Sequence, residues 1–376
     1  MSRPGSVVRY KVELQEKGVR VPPELIAELE AKYNAPALST GRMVLCLESP
    51  HGDGELIPAF IVNGKRVSKS PFHLVKKNPD KFEVWKDDAK YTDITIIPRP
   101  GYYDQITSGD VPMFKVAVIV GPGHLRSVVN QRCIYQQTGQ ACKFCAVQYW
   151  WNAIAVKQSI QIAETVEAGF KEGSARHISL TTATLDTSDK GLANLVETAG
   201  MIWSRAKIPA MIEFEPVTDH TLLTDLLVEA KKAGVTTVSI NIECYDESLR
   251  QEIMPAKGRI PLKEYIKNWE MCLDKFGKNE VATVAVVGIG EDDKTTLEGV
   301  AMAASHGVMT FLVPHSPAIG AVYEDMEPPG ADRMLRLYEK AVNIYLKNGL
   351  DLCASTAGCI RGGGFSAIKD VARFGV

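Results

Sequence analysis

From residue 116 onward the chain alternates two hydrophobic patterns. Short β-branched runs at 116–120, 177–182, 210–214, 237–243, 281–290, 310–314 and 350–355 read as buried strands. Between most of them lie stretches with apolar residues at i, i+3 and i+4, at 159–173, 189–205, 220–234, 262–276, 295–307 and 331–349. Several end at glycine, as amphipathic helices do. Strand and helix alternating about six times predicts an α/β fold, a partial (β/α)6-type TIM barrel. Ahead of residue 110 that rhythm is absent. Residues 11–33 offer one or two short helices with Pro22 and Pro23 at a start, and 43–49 and 60–67 read as strands, the latter carrying an Asn63-Gly64 turn. The Pro-Arg-Pro-Gly stretch at 98–101 marks a linker. The expected division is an N-terminal α+β appendage at 1–110, a barrel at 111–330, and a C-terminal helix and tail at 331–376.

Composition narrows the class. With 376 residues, 45% hydrophobic and 23% charged, the chain is long enough for a large core. A net charge of −2, without long like-charge runs, implies no nucleic-acid partner. The start lacks the apolar core of a signal peptide, and no apolar stretch approaches the roughly 18 residues needed to span a bilayer. The expected setting is therefore cytoplasmic with no membrane partner, and eight cysteines at irregular spacing read as reduced thiols.

Chemistry concentrates in CIYQQTGQACKFC, where Cys133, Cys142 and Cys145 supply three thiolates and no fourth ligand. Soft thiolates at CxxC spacing select zinc or an iron-sulfur cluster, and a three-thiolate cluster leaves one iron open. A zinc knuckle would need a fourth Cys or His nearby, and none follows at that range. At predicted strand ends stand Thr181 and Thr182, then Asn241 and Glu243 two residues apart on one face, then Gly288, Gly290 and Glu291. Polar groups at the carboxyl ends of barrel strands are where catalysis is expected. Thr181 and Thr182 could equally cap the helix at 189, the Asn241–Glu243 pair could serve an internal salt bridge, and Gly288 and Gly290 could mark a turn.

The cysteine segment resembles radical S-adenosylmethionine enzymes, although the first gap is eight residues where that superfamily commonly has three. The resemblance implies a [4Fe-4S] cluster on Cys133, Cys142 and Cys145, with Phe144 beside it and S-adenosylmethionine chelating the open iron. It further implies reductive cleavage of that cofactor to a 5′-deoxyadenosyl radical, with electrons from a donor such as ferredoxin or flavodoxin. Segments 178–200, 239–272 and 284–311 are similar to lipoyl synthases, in order and separation. By that similarity Thr181, Thr182, Asn241, Glu243, Gly288, Gly290 and Glu291 are expected to bind the cofactor. The chain lacks that family's N-terminal cysteine triplet, which fits an archaeal-type two-component enzyme paired with a second related radical subunit and acting on an octanoylated lipoyl carrier. A second [4Fe-4S] cluster on Cys46, Cys353 and Cys359, closed by Ser366, is the corresponding expectation. Cys244 and Cys272 read as core, and scattered histidines as turn or surface residues. The alternatives are a radical enzyme of a small-molecule or nitrile-linked pathway without a second cluster, and a metal-stabilised binding module.

Overall fold

The computed structural model describes residues 4–34, 42–62, 65–79, 81–149 and 154–376. The predicted Asn63-Gly64 turn lies outside the described residues, as do Trp150 and Trp151. The strands are β1 (Arg42–Glu48), β2 (Leu56–Val62), β3 (Phe72–Asn78), β4 (Lys81–Lys86), β5 (Ala89–Ile94), β6 (Val118–Gly121), β7 (His124–Val128), β8 (His177–Thr181), β9 (Ala210–Phe214), β10 (Val235–Ile240), β11 (Val281–Val287) and β12 (Met309–Pro314). Seven of them, in the order β12-β11-β10-β9-β8-β7-β6, form one curled sheet. Its pairs are parallel except β6 with β7, which is antiparallel. Helices Ser159–Lys171, Leu192–Ala206, His220–Lys232, Leu262–Phe276, Asp293–Ser305 and Ala331–Lys347 cross between or follow the parallel strands, as the periodicity predicts. This is the α/β partial TIM barrel that the sequence implies.

Two faces of the sheet carry two cores. Outward-facing Leu180, Ile212 and Val238 pack on Leu195, Leu227 and Trp269 of the surrounding helices. Inward-facing Met211, Ala282, Met309 and Phe311 pack instead on Val12 and Leu14 of helix Pro4–Lys17 and on Ile360 and Ile368 of the tail. A half-barrel cannot bury its interior alone, so the two ends of the chain fill it. Lys11 and Asp370 fasten them through a buried ion pair of 2.6 Å, and Phe60 N–H donates to Gly364 O at 2.8 Å.

Several local expectations change. The hairpin near residue 60 is β1 with β2, joined through 49–55, and residues 65–69 form a 3-10 turn where a strand was expected. A three-stranded sheet, β3-β4-β5, occupies 72–94 unanticipated, its second turn made by Asp87 at φ 51° and Asp88. The cysteine loop follows β7, not the first strand of the sheet, because Pro122 and Gly123 reverse β6 into β7. The run at 350–355 is irregular, since strand β12 ends the sheet and the segment turns towards the barrel's lower end. Short helices Glu247–Ile253, Gly358–Gly362 and Ile368–Phe374 complete the chain.

Candidate active site

The cysteine loop lies at the carboxyl ends of the parallel strands, and backbone hydrogen bonds fix both its legs. Val129 N–H donates to Thr181 O and Ile134 N–H to Thr184 O, which moors the first leg on the end of β8. The eight residues between Cys133 and Cys142 do not hang free. They coil as one helical turn, Ile134–Gln137, and reverse at Gly139 with φ 70°, so a long gap spans a short distance. On the second leg, Lys143 N–H donates to Ile253 O, and Lys143 O accepts from Tyr323 N–H. Cys142 and Phe144 pack on a small apolar cluster of Cys244, Ile253, Met254 and Ile289.

The three thiols share one environment. Burial raises the Cys142 thiol above its usual range, Lys257 opposes that, and the charges of Cys145, Glu243 and Cys133 add to it. Cys145 is likewise raised, by burial first, with Cys133 and Glu243 adding. Each sulfur therefore stands within electrostatic reach of the others. Among the described residues no three Cys, His, Asp or Glu side chains converge as ligands of a single ion. Ligands of one zinc ion, bonded at about 2.3 Å, would bring sulfurs to within about 4 Å of each other. A cubane cluster instead takes each thiolate on a separate iron, which requires neighbouring but separated sulfurs. The donor set fits a [4Fe-4S] cluster with one iron unligated by protein, and does not fit a closed zinc site.

Facing the thiols is a polar group that the sequence only half revealed. Glu243 adopts φ 64°, a left-handed conformation rare outside glycine, held because its N–H donates to Val284 O and its C=O accepts from Val286 N–H, both at 2.8 Å. That twist ends the strand alternation on which the pairing of Asn241 with Glu243 was argued. Glu243 Oε1 accepts from Lys257 Nζ at 3.0 Å. The Lys257 ammonium, despite the opposing effect of burial, is held above its ordinary range by Glu243, with Tyr265, Cys142 and Glu215 adding. Glu215 in turn accepts from the Tyr135 hydroxyl at 2.6 Å and from Thr184 at 3.0 Å. Asn241 accepts from Ser239 Oγ at 2.5 Å. Thr181 and Thr182 end β8 half-buried, Thr182 donating to Ala183 O at 3.0 Å. Lys257, Glu215 and Tyr135 were missed from sequence. The signal available was Glu213-Phe214-Glu215, two acids alternating with a buried apolar position.

Gly288, Gly290 and Glu291 form a self-contained turn. Gly288 at φ 97° and Gly290 at φ 116° need glycine's freedom, and a Cβ on Gly288 would meet the Pro329 ring at 2.7 Å. Glu291 is buried, its oxygens accepting from Gly288 N–H, Ile289 N–H and Arg333 at 2.7–2.9 Å. Its carboxylate is thus occupied in shaping the turn.

The residues expected to hold a second cluster meet different neighbours. Cys46 lies buried in β1 opposite Pro58. Cys353 is exposed near Lys369 and Arg373. Cys359 Sγ points into the barrel, 3.5 Å from Glu213 Oε1, its thiol pushed up to about 12 by burial and then by Glu213. Ser366, expected to close that cluster, is fully buried and donates to Leu312 O at 2.5 Å while accepting from Ile368 N–H. Of the histidines expected at turns or the surface, His177 and His315 are buried, His177 stacking on His124. Cys272 is core as expected, and so is Cys244.

Residues 134–302 match the family model described as the radical SAM superfamily. Over 351 residues, 86% of each chain, the protein is 24% identical to bacteriochlorophyllide c C-7(1)-hydroxylase of Chlorobaculum limnaeum. Among solved structures it is similar to a radical SAM methyltransferase from Sphaerobacter thermophilus, with 13% identity, TM-score 0.45, and 74% of this chain and 75% of that one covered. It is also similar to a methylornithine synthase, with 13% identity, TM-score 0.43, and coverage of 61% and 71%. No helix among the described residues is long and apolar enough to cross a membrane. The superfamily uses a [4Fe-4S] cluster with S-adenosylmethionine and generally needs an electron donor. Residues 134–302 thus resemble the radical SAM superfamily in sequence, and in the structure they carry three neighbouring thiols at the mouth of a partial barrel.

Proposed function

We propose that the protein is a radical SAM enzyme that opens its reaction by taking a hydrogen atom from a carbon of a small organic substrate held in the half-barrel, without sulfur insertion. One observation carries this reading: similarity to a hydroxylase extends over 86% of both chains, well beyond the 134–302 segment that matches the superfamily model. The sulfur-insertion alternative, on an octanoylated carrier with a second radical subunit, leans on Ser366, and that hydroxyl is engaged with Leu312 O.

Cys133, Cys142 and Cys145 would hold the cluster, and Thr181, Thr182, Asn241 and Glu243, at the carboxyl ends of β8 and β10, would line the cofactor's place. Bound there, the cluster and S-adenosylmethionine supply the 5′-deoxyadenosyl radical, chemistry that belongs to the cofactor. The chain supplies placement and exclusion of water. Lys257 pairs with Glu243 at 3.0 Å and fixes the position of its carboxylate. By strand register Thr181, Glu213 and Ser239 share one face of the sheet, and Glu213 meets Cys359 of the tail, so this face is the covered interior. Helix Pro4–Lys17 and the tail then wall a substrate from solvent.

The test is anaerobic reconstitution, reduction and mass analysis in two arms. The reading expects 5′-deoxyadenosine to form, stimulated by extracts containing small organic molecules, with no sulfur added to an octanoyl-lysyl peptide. A peptide gaining one sulfur would restore the sulfur-insertion reading.

A further inference from the structure

At the end of the half-barrel opposite the cysteines, a cavity of about 370 Å³ opens between the amino-terminal ends of the strands, β2 and helix Ile368–Phe374. Six charged side chains line it: Glu55, Arg176, Arg361, Lys369, Asp370 and Arg373. Both carboxylates are already engaged. Glu55 accepts from Arg373 Nη1 at 2.7 Å, and Asp370 accepts from Lys11 Nζ at 2.6 Å. Three cations, Arg176, Arg361 and Lys369, remain without an ion pair among the described residues, with Asp370 and Glu55 acting on Lys369 only from farther off. Half-buried Lys369 donates to the Arg361 backbone carbonyl at 2.7 Å, while Arg176 and Arg361 have no acidic partner among the described residues.

These charges come from separate parts of the chain, so sequence alone hid the cluster. Arg176 precedes β8, Arg361 sits on helix Gly358–Gly362, and Lys369 sits on helix Ile368–Phe374. Burial first, and then the charges of Arg361 and Lys369, depress the basicity of His177 at the foot of β8, so both cations lie close to that ring. Concentrating like charges in a concave site is unfavourable unless an anion balances them, and guanidinium groups match an oxyanion in a fork of hydrogen bonds.

We propose that this cavity binds a small oxyanion, a phosphate or carboxylate group, through Arg176, Arg361 and Lys369. The occupant would bridge β8 to the tail segment that carries Cys359 into the barrel. It would thereby hold the interior wall in place from the end remote from the chemistry.

Cys353 lines the same cavity with an exposed thiol and serves as the reporter. The holoprotein is exposed anaerobically to iodoacetamide, and modification of Cys353 is followed by peptide mass analysis as inorganic phosphate is raised, with acetate as a second arm. Sodium chloride at matched ionic strength is the control. For a Kd of about 1 mM, about 10 mM phosphate slows modification about tenfold. Greater protection by phosphate identifies a phosphorylated ligand, and greater protection by acetate a carboxylated one. Loss of protection in Arg361→Gln/Lys369→Gln supports the site, and Arg176→Gln, at an exposed position, gives a second variant should the first not fold. Equal rates with and without either anion, protection matched by chloride, or protection surviving both variants would overturn the proposal.

Discussion

Lys257 holds its ammonium 3.0 Å from the Glu243 carboxylate, on the side of the barrel mouth where the Cys142 thiol feels both charges. Each side chain is 14% exposed, so the pair is largely removed from water. Removing one partner leaves a buried charge uncompensated, the costly half of a buried ion pair. Glu243→Gln is expected to lower unfolding free energy by about 3 kcal/mol, measured by urea titration of the apoprotein, and Glu243→Gln/Lys257→Met to recover most of that loss. Equal stability of the single variant and the parent would show the pair to be inconsequential.

Ser366→Ala separates a packing role from a ligand role. Losing two hydrogen bonds in a buried turn costs about 1–2 kcal/mol. The account expects that loss in denaturant midpoint together with unchanged iron, about four atoms per reconstituted chain. Iron falling from about eight to about four would instead restore a second cluster closed by this serine.

Glu291 is expected to act through the glycine turn. Glu291→Ala strips acceptors from Gly288 N–H, Ile289 N–H and Arg333, and is expected to cost about 3 kcal/mol. Thermal unfolding monitored by circular dichroism checks it, with an unchanged midpoint as the contrary outcome.

Burial lowers His177 to about 3, and burial likewise holds His124 well below its ordinary range. Unfolded histidine titrates near 6.5, so below that pH the unfolded chain binds protons that the folded chain refuses. The stability is therefore fully present above about pH 6.5 and is lost as pH falls towards 3, at about 1.4 kcal/mol per pH unit for each histidine. His177→Gln should flatten the dependence of the urea midpoint between pH 6.5 and 4.5, and a slope identical to the parent's would contradict this.

Legibility followed periodicity. The helices and most of the β-branched strands of the barrel are strong local patterns and stand where the pattern puts them, the run at 350–355 being the exception. Strand β7, His124–Val128, was unreadable because it mixes His, Arg and Ser with apolar residues. His124 and Arg126 face the polar interior, while Ser127 on the other face donates to Val116 O. Cys133, Cys142 and Cys145 were visible as a local motif. Lys257, Glu215 and Tyr135 were not, because their relation to the thiols exists only across strands. In the second-cluster expectation Cys46, Cys353 and Cys359 are grouped in sequence only by being left over, and the fold gives each different neighbours.

The central claim is an iron of the three-thiolate cluster left open for S-adenosylmethionine. Electron paramagnetic resonance of the anaerobically reconstituted, chemically reduced protein, recorded with and without S-adenosylmethionine, tests it most directly. The account predicts a reduced [4Fe-4S] signal that changes shape when the cofactor is added and disappears in Cys142→Ala. A signal indifferent to the cofactor, or a protein that takes up one zinc and no iron, would contradict it.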